Sequence, residues 1–483
     1  MNTNNSNDKA KFNQIENLKN LTKGIVCFQS PDNDCYGVLD QKYKEVLLLK
    51  SKEFRDYLKS ASYEKYQTMP SSTALQDFIS ILECSAKSKV MPVFNRIGSK
   101  KDSVYIDLGD SRRNAARINS DGVKIFPKPA VYFQRKKGAL PIQISKTNHS
   151  KKIIRKFMCS INASKSDQRL IVAWLLCSLN SKGPYPVLIL QGEQGSGKST
   201  IAKILKLLID PTVAPLRALQ RSERDLAIYA KNNWVLAFDN VSYVPENISD
   251  ALCRLSTGGG LSVRQLYTDS DEVIFDVTRP VILNGIGNIV MKEDLADRSL
   301  VVNMKRIKDE NRKTEAEIWE DFEKNKDLIL GALACGVRSA LKHRNDIELP
   351  EYPRMADSLK WIVAAEPAIF NETGKFLAAY DKNRKNIAFI CLESDPVAAA
   401  IKTIIETNTK WKGNANDLLS ALEEILPEEH KERIMKEKSW PKAANALTRR
   451  LKQLAPTLRS VGIEMRFKRS ADKRIIRIKK KTK

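Results

Sequence analysis

The chain has 483 residues, and its 82 Lys and Arg against 57 Asp and Glu give a formal net charge of +25. This length allows two to four domains, and a hydrophobic content of 42% excludes wholesale disorder. The charge favours a polyanionic partner, which is either nucleic acid or an anionic membrane surface. Because the sequence contains neither a long apolar run nor an apolar leader, it favours nucleic acid and predicts no membrane partner. The eight cysteines are scattered, without a CxxC motif or a Cys/His cluster, and predict reduced thiols and a cytoplasmic location.

In chain order, the sequence predicts a polar, disordered segment over residues 1–20 and an α+β domain over 21–150. Two helices and several short alternating strands are expected in that domain, without an acidic triad or a nucleophile–base pair. A collar or nucleic-acid-binding role and a purely structural platform both stay open for it. Residues 151–305 alternate helices with β-branched strands like a P-loop α/β sheet, 306–393 are helical, and 394–483 form a separate basic unit.

The clearest motif is a glycine-rich turn between an apolar strand and a helix. The sequence GEQGSGKS at 192–199 fits GxxxxGK[ST] in full. Its glycines let backbone N–H groups point at the phosphates of ATP, and the helix N-terminus adds its dipole. We expect Lys198 to neutralise β- and γ-phosphate oxygens and Ser199 to ligate Mg²⁺. The predicted nucleotide-binding residues are Gly192, Gln194, Gly195, Ser196, Gly197, Lys198, Ser199 and Thr200.

Three further residues are predicted to act with Lys198 in catalysis. The strand in NNWVLAFDNVS ends in Asp239, a carboxylate that would hold Mg²⁺ together with Ser199. The strand in RPVILNGI ends in Asn284, which suits orientation of the attacking water. Arg298 precedes another apolar strand and is expected to project from the subunit edge, as an arginine finger does toward a neighbour's γ-phosphate. Taken singly, Asn284 is also consistent with a strand-end cap and Arg298 with a surface ion pair.

The order of these elements resembles that of the superfamily 3 helicases, which are viral and mobile-element members of the AAA+ class. More closely, the segments GEQGSGKST, LQRSERDLAIYAKNNWVLAFDN, DALCRLSTGGGLSVRQLYTD, TRPVILNGI and DLADRS are similar to helicase-like ATPases of prophages and integrative elements. The resemblance implies a ring, expected to be hexameric, with ATP between neighbours and single-stranded DNA in the central channel. It also implies that a primase or polymerase is a possible partner.

The chain departs from the helicase pattern after the metal-binding aspartate. Helicase-type P-loop enzymes usually place a second acid there to polarise the attacking water, whereas this chain has Asn240. An amide can orient water but cannot accept its proton. The catalytic base is therefore unassigned, and Asp239 itself, Glu193 and Glu223 are the candidates.

A second departure concerns the hairpin that lines the channel in the family, which corresponds here to GGGLSVRQLYTDSDEVIFDV. Family members commonly carry a basic residue on this hairpin, but its tip here is acidic at Asp269, Asp271 and Glu272. Arg264, or Tyr267 by stacking on a base, would then contact DNA. A purely structural ribbon remains the alternative.

The C-terminal region is strongly basic, with fifteen Lys or Arg and two acids between residues 441 and 483. One apolar stripe, formed by Leu447, Leu451, Leu454, Leu458 and Val461, predicts a helix that Pro456 bends. The segment IEMRFKRSADKRIIRIK predicts a hairpin after that helix, and two helical stretches precede it, so we expect a winged-helix domain that binds duplex DNA. A basic subunit-docking domain is the alternative. The expected DNA contacts are Arg449, Arg450, Lys452, Arg466, Lys468, Arg469, Lys473 and Arg474.

The sequence therefore predicts a multidomain α/β chain: a P-loop AAA+ core with an N-terminal α+β domain, a helical segment and a C-terminal winged-helix domain. The favoured function is an ATP- and Mg²⁺-dependent DNA helicase or translocase that replicates a mobile element. The alternative is a DNA-binding AAA+ ATPase that loads or regulates replication proteins without unwinding. A small-molecule kinase is disfavoured, because it leaves the basic C-terminal unit unexplained.

Overall fold

The computed structural model describes residues 13–40, 43–264, 272–275, 277–286, 289, 292–437, 440–470 and 473–480. The chain begins with helix α1 over residues 13–21, whose Leu18 is fully buried, so the predicted disorder up to residue 20 is wrong for residues 13–20. Residues 1–12 lie outside the described range. Among the described residues, no helix has the length and apolar character needed to cross a bilayer.

After α1, the described part of the N-terminal region contains two antiparallel sheets and two further helices. The predicted helices are present as α2 and α3, each begun by a serine, Ser51 and Ser71, whose hydroxyl accepts a hydrogen bond from the first turn. The sheet orders are β1-β2-β3 and β5-β6-β7-β8, with β4 and β9 pairing separately. The elements are β1 Val26–Gln29, β2 Cys35–Asp40, β3 Lys44–Leu48, α2 Lys52–Tyr66, α3 Ser72–Ala86, β4 Val93–Phe94, β5 Ile97–Lys100, β6 Ser103–Asp107, β7 Ala115–Asn119, β8 Gly122–Phe126 and β9 Tyr132–Phe133.

A four-stranded parallel sheet in the order β11-β14-β10-β15 forms the centre of the molecule. Its strands are nearly continuous apolar runs because helices cover both faces. The elements of this region are α4 Ser150–Cys159, α5 Lys165–Ser178, β10 Val187–Gly192, α6 Lys198–Ile209, α7 Glu223–Asn232, β11 Leu236–Phe238, α8 Glu246–Thr257, β12 Leu261–Arg264, β13 Glu272–Phe275, β14 Val281–Ile286, α9 Glu293–Ala296 and β15 Ser299–Asn303.

The helical segment packs against both the central sheet and the second N-terminal sheet. A short 3-10 turn over Asp309–Asn311 precedes α10 Glu315–His343, α11 Ala356–Ile369 and α12 Lys375–Ser394. A single cluster of buried side chains runs from Ile97 on β5 through the sheet to Tyr380 on α12. The hydrophobic core is thus continuous across residue 150, where composition suggested a domain boundary.

The C-terminal unit has its own hydrophobic core, built from helices on one side of a three-stranded sheet. One residue, Asp395, separates α12 from α13, and its carboxylate caps α13 by accepting from the Ala398 N–H at 2.9 Å. The predicted leucine stripe is buried and the predicted hairpin is present. The elements are α13 Pro396–Asn408, β16 Lys410–Gly413, α14 Ala415–Glu424, α15 Glu428–Lys436, α16 Ala444–Ser460, β17 Ile463–Ser470 and β18 Lys473–Lys480.

Candidate nucleotide site and DNA-facing surfaces

The phosphate loop lies between the carboxyl end of β10 and the first turn of α6. Gly195 and Gly197 have φ angles of 76° and 81°, in the left-handed region that glycine adopts without strain. Gly197 is also the N-cap of α6. Backbone N–H groups of the loop and the positive end of the helix dipole therefore meet at one point, an arrangement that binds anionic phosphate.

Lys198 is held at the mouth of this loop by neutral oxygen atoms. Its Nζ donates to the carbonyl oxygens of Gly192 at 2.9 Å and Glu193 at 2.6 Å, and to Ser196 Oγ at 3.2 Å. Burial lowers the pKa of Lys198, and the Asp239 carboxylate opposes this shift. The ammonium group is therefore close to the loop without a carboxylate bound to it, so it can neutralise phosphate oxygens.

The two predicted metal ligands meet across neighbouring elements. Ser199 Oγ on α6 donates to Asp239 Oδ1, which follows β11, at a distance of 2.8 Å. A hydroxyl and a carboxylate are the hard oxygen ligands that Mg²⁺ uses together with substrate phosphates. The donor set therefore fits Mg²⁺ at the position that the sequence predicted.

Asn284 lies on β14, between the strands that carry the phosphate loop and Asp239. The side chain is 1% exposed, and its Oδ1 accepts from the backbone N–H of Asn240 at 3.1 Å. Its Nδ2 is buried and has no hydrogen-bond partner among the described residues. An unpaired buried donor costs about 1–3 kcal/mol, so it calls for a ligand or a water as its partner. The oxygen acts as the cap that the alternative interpretation proposed, and the amide nitrogen remains available to orient water.

Arg298 does not project from the subunit edge, and this part of the prediction is wrong for the isolated chain. The residue is 8% exposed, and its Nη1 donates to the Asp294 backbone oxygen at 2.8 Å and pairs with Asp294 Oδ1 at 2.5 Å. Asp294 precedes Arg298 by four residues, the spacing at which helical side chains meet. The Nε of Arg298 has no partner, and Asp294 also binds Arg354 at 2.6 Å.

The site contains no second carboxylate directly after Asp239. Asn240 adopts a φ of 55°, and its N–H donates to Asp239 Oδ1 at 3.0 Å as well as to Asn284. Of the other candidate bases, Glu223 pairs with Arg254 at 2.6 Å, whereas Glu193 is exposed on the phosphate loop. The geometry therefore leaves Asp239 and Glu193 as candidates.

The predicted channel hairpin is present as β12 and β13, which pair with Arg264 opposite Glu272. Their backbones are described, but their side chains are not. Tyr267 and the acidic tip at Asp269 and Asp271 lie outside the described residues, so DNA contact by this hairpin stays a prediction.

The cations of the C-terminal unit that were predicted to contact DNA differ in their exposure and in their ion pairs. Arg449 and Lys452 are exposed on α16, and Arg466 and Lys468 are exposed on β17. Arg450 instead pairs with the Asp395 carboxylate, through two of its guanidinium nitrogens, because that buried acid lies directly against α16. Its assignment as a DNA contact does not fit this geometry. The side chains of Arg469, Lys473 and Arg474 lie outside the described part.

Two family models match the chain in consecutive regions. Residues 154–382 match the actinomycete integrative conjugative element replication protein, and residues 397–483 match the C-terminal domain of the same RepA proteins. Over these two regions the chain is similar to the RepA replication proteins of integrative conjugative elements. The RepA match begins in α4 and ends in α12, and the C-terminal match takes in α13 to β18.

Solved structures are also similar to this chain over nearly its whole length. The C-terminal region of NrS-1 in its A form is 14% identical over 95% of this chain and 97% of that one, with a TM-score of 0.41. The structure titled "SCCmec type IV Cch - active helicase" is 12% identical over 94% and 93%, with a TM-score of 0.48. At these scores the likeness carries no argument about individual residues. No curated protein matches the chain.

Within the RepA-matched region, a segment after β15 lies close to the phosphate loop, and the sequence analysis did not assign it to the site. A Cβ added at Gly195 would lie 3.4 Å from Arg312 Nη2, and one at Gly197 would lie 3.4 Å from Ile307 Cδ1. Arg312 is 55% exposed and pairs with Asp309 at 3.2 Å. A half-exposed guanidinium beside a phosphate loop is a further candidate for nucleotide contact. The only available signal was the run of cations after β15.

Proposed function

We propose that the chain is an ATP-dependent DNA helicase or translocase that acts in the replication of a mobile genetic element. The observation that carries the proposal is the meeting of Lys198, the Ser199–Asp239 pair and the unpaired amide of Asn284 at one end of the parallel sheet. A net charge of +25 and a separate basic unit provide surfaces for DNA. The cytoplasm is the proposed place of action.

In this proposal ATP is the substrate whose β–γ phosphoanhydride bond is hydrolysed, and Mg²⁺ would neutralise charge on its phosphates. Lys198 exchanges its carbonyl acceptors for phosphate oxygens, and Ser199 and Asp239 hold the metal. Asn284 orients the attacking water through its Nδ2, while its Oδ1 keeps the chain after β11 in place. Asp239 or Glu193 accepts the proton.

We further propose that the active form is a ring, expected to be hexameric, in which Arg298 acts on the neighbour's ATP. Arg298 must then leave Asp294 when subunits assemble. Asp294 would retain Arg354 as its partner, so this movement does not leave the carboxylate unpaired. In the same proposal, single-stranded DNA passes the β12–β13 hairpin in the central channel. The C-terminal unit acts as a winged-helix domain and binds duplex DNA. A primase or polymerase is the proposed protein partner.

The alternative, a loader or regulator that hydrolyses ATP without unwinding, is favoured by Asn240 in place of a second acid. Strand displacement on a forked duplex with ATP and Mg²⁺ separates the two functions. We expect displacement by the wild-type chain and none by Lys198→Ala. ATP hydrolysis on DNA without displacement at any protein concentration would favour the loader.

Mixing two inactive variants tests the shared site. Lys198→Ala and Arg298→Ala should each abolish turnover, and their mixture should recover part of it because some mixed interfaces contain both groups intact. Mixing Lys198→Ala with Lys198→Ala/Arg298→Ala is the control and should recover nothing. A lack of recovery in rings that demonstrably form would contradict the role of Arg298 in the neighbour's site.

A further inference from the structure

The three-stranded sheet of the C-terminal unit has one buried face and one exposed face. Ile463, Ile476 and Ile478 are at most 5% exposed and pack with the helices in the core of this unit. Residues of the opposite parity point away from the helices, because side chains alternate along a strand. That outer face consists of Lys410, Lys412, Glu464, Arg466, Lys468, Ile475, Arg477 and Lys479.

The strand register brings cations directly opposite one another on this outer face. Lys412 on β16 pairs in register with Arg477 on β18, and Arg477 pairs with Arg466 on β17. With strands about 4.8 Å apart, three positive charges form a row roughly 10 Å long. Like charges directly opposite each other destabilise a sheet, so this row is a cost to folding unless a polyanion binds it.

Carboxylates neutralise little of this face. Within the described part of the chain, Glu464 is its one acid, at 3.7 Å from Arg466 and 3.6 Å from Lys479. Lys412 and Arg477 are exposed, and in that same part neither has a carboxylate within 4.0 Å. These two cations are available to phosphate.

The composition of the outer face indicates which form of nucleic acid it fits. Proteins that bind single strands stack bases on aromatic side chains within a basic groove. The described outer-face positions contain no aromatic residue, and Phe467 has the opposite parity. Cations without a stacking platform bind the sugar-phosphate backbone, whose charge is densest in a duplex.

We propose that the outer face of this sheet is a second duplex-binding surface, distinct from α16. The inference rests on the proposed function, because it requires that the C-terminal unit binds DNA. The leucine stripe of α16 packs into the same core as the inner face of the sheet, so α16 lies on the other side from the cation row. The unit therefore binds duplex on two sides, and the row contributes backbone contacts without sequence preference.

Salt dependence of DNA binding by the full chain tests this surface. The variant Lys412→Gln/Arg466→Gln/Arg477→Gln removes the row. The slope of log K against log salt is negative, and each lost phosphate contact reduces its magnitude by about 0.9. We expect the magnitude of the slope on duplex DNA to fall by about 2.7. A fourfold increase in salt should then weaken DNA binding by wild type about 40-fold more than binding by the variant. The circular dichroism spectrum and the thermal unfolding curve should match those of wild type, which shows that the C-terminal unit of the variant folds.

The matched control is Lys431→Gln/Arg433→Gln/Lys436→Gln on α15, which removes the same charge from the same unit. Two of these cations already pair with carboxylates, Lys431 with Glu428 and Lys436 with Glu432. A sheet-variant slope equal to that of wild type or of this control overturns the proposal, as does a loss confined to single-stranded DNA.

A second pair of variants separates failure of this inference from failure of the proposed function. Arg449→Gln/Lys452→Gln tests α16, and deletion of residues 394–483 tests the whole unit. If the deletion or the α16 variant lowers the slope and the sheet variant does not, only the outer-face proposal fails. If even the deletion leaves the slope unchanged, DNA binding by this unit is wrong altogether.

Discussion

Removing the charge of Asp210 should destabilise the ATPase region and displace the phosphate-loop helix. Asp210 is the C-cap of α6, is 4% exposed, and accepts from Lys206 Nζ at 2.6 Å and Arg96 Nε at 3.3 Å. It also accepts from the backbone N–H groups of Trp234 at 2.8 Å and Val235 at 3.0 Å, just before β11. This one carboxylate therefore joins the helix that carries Lys198 to the strand that leads to Asp239.

The expected loss is large because Lys206 is fully buried. Asp210→Asn keeps the shape and an acceptor oxygen but leaves the Lys206 ammonium without its counter-charge, which costs about 3–5 kcal/mol. The double variant Asp210→Asn/Lys206→Met removes that stranded charge and should recover about 1–3 kcal/mol. The wild-type chain, Lys206→Met and the two Asp210 variants complete a double-mutant cycle.

The pH dependence of stability gives an independent measure of the same carboxylate. Burial by itself raises the pKa of the Asp210 carboxyl. The positive charges of Lys206 and Arg96 more than offset this effect, and the pKa of Asp210 falls from 3.8 to about 2. Because the folded-state pKa is the lower one, the carboxylate stabilises the folded chain above about pH 4, and this stabilisation is lost as the pH falls toward 2. The shift corresponds to roughly 2 kcal/mol.

Equilibrium urea unfolding of the full chain, followed by circular dichroism, measures these differences. The midpoint should fall with an unchanged slope against urea, and kcat for ATP should fall with it. A loss below about 1 kcal/mol for Asp210→Asn, or a double variant less stable than the single one, would refute the buried-pair reasoning.

Three further substitutions test the role of Asn284, the newly identified candidate Arg312 and the reassignment of Arg450 to an ion pair. Asn284→Ala removes both the cap and the unpaired donor, so kcat should fall about 10²-fold while the KM for ATP changes little, in steady-state ATPase assays. Arg312→Ala should raise the KM for ATP several-fold, whereas Lys308→Ala, which removes an exposed cation a few residues earlier, should not; equal effects of the two would remove Arg312 from the nucleotide site. Arg450→Ala should lower thermal stability by about 1–2 kcal/mol, since Asp395 loses its partner, without lowering the salt slope of DNA binding; the reverse result would restore Arg450 as a DNA contact.

Local signals in the sequence predicted the strand, loop and helix that form the phosphate loop. The glycine-rich sequence at 192–199 predicts a strand, a loop and a helix in succession. Polar residues that follow parallel strands lie close together, because the carboxyl ends of those strands lie at one edge of the sheet. The contact between Ser199 and Asp239 follows from that rule. Asn284 was predicted to end its strand, but it lies two residues before the end of β14 at Ile286 and pairs with Leu190. The buried leucines of α16 and the hairpin after it likewise follow from their periodicity.

The errors concern side chains whose partners lie elsewhere in the fold. Arg450 binds an aspartate 55 positions earlier, and Arg312 reaches the phosphate loop because its segment crosses it in space. The periodicity of apolar residues in a sequence does not indicate contacts between side chains that are far apart in the chain. Arg298 is different, because Asp294 four residues before it was visible as a helical ion-pair spacing. The short strand β16 was missed because KWKG has little strand character by itself.

The one-residue junction at Asp395 has a mechanical consequence. Helix α12 runs into α13 with only this residue between them, and Asp395 is anchored on both sides, by its capping bond to Ala398 and by Arg450. A flexible tether would let the basic unit swing freely while the motor cycles. If the chain moves along DNA as proposed, these two anchors at Asp395 would transmit each tilt of α12 to the basic unit and to any duplex bound there.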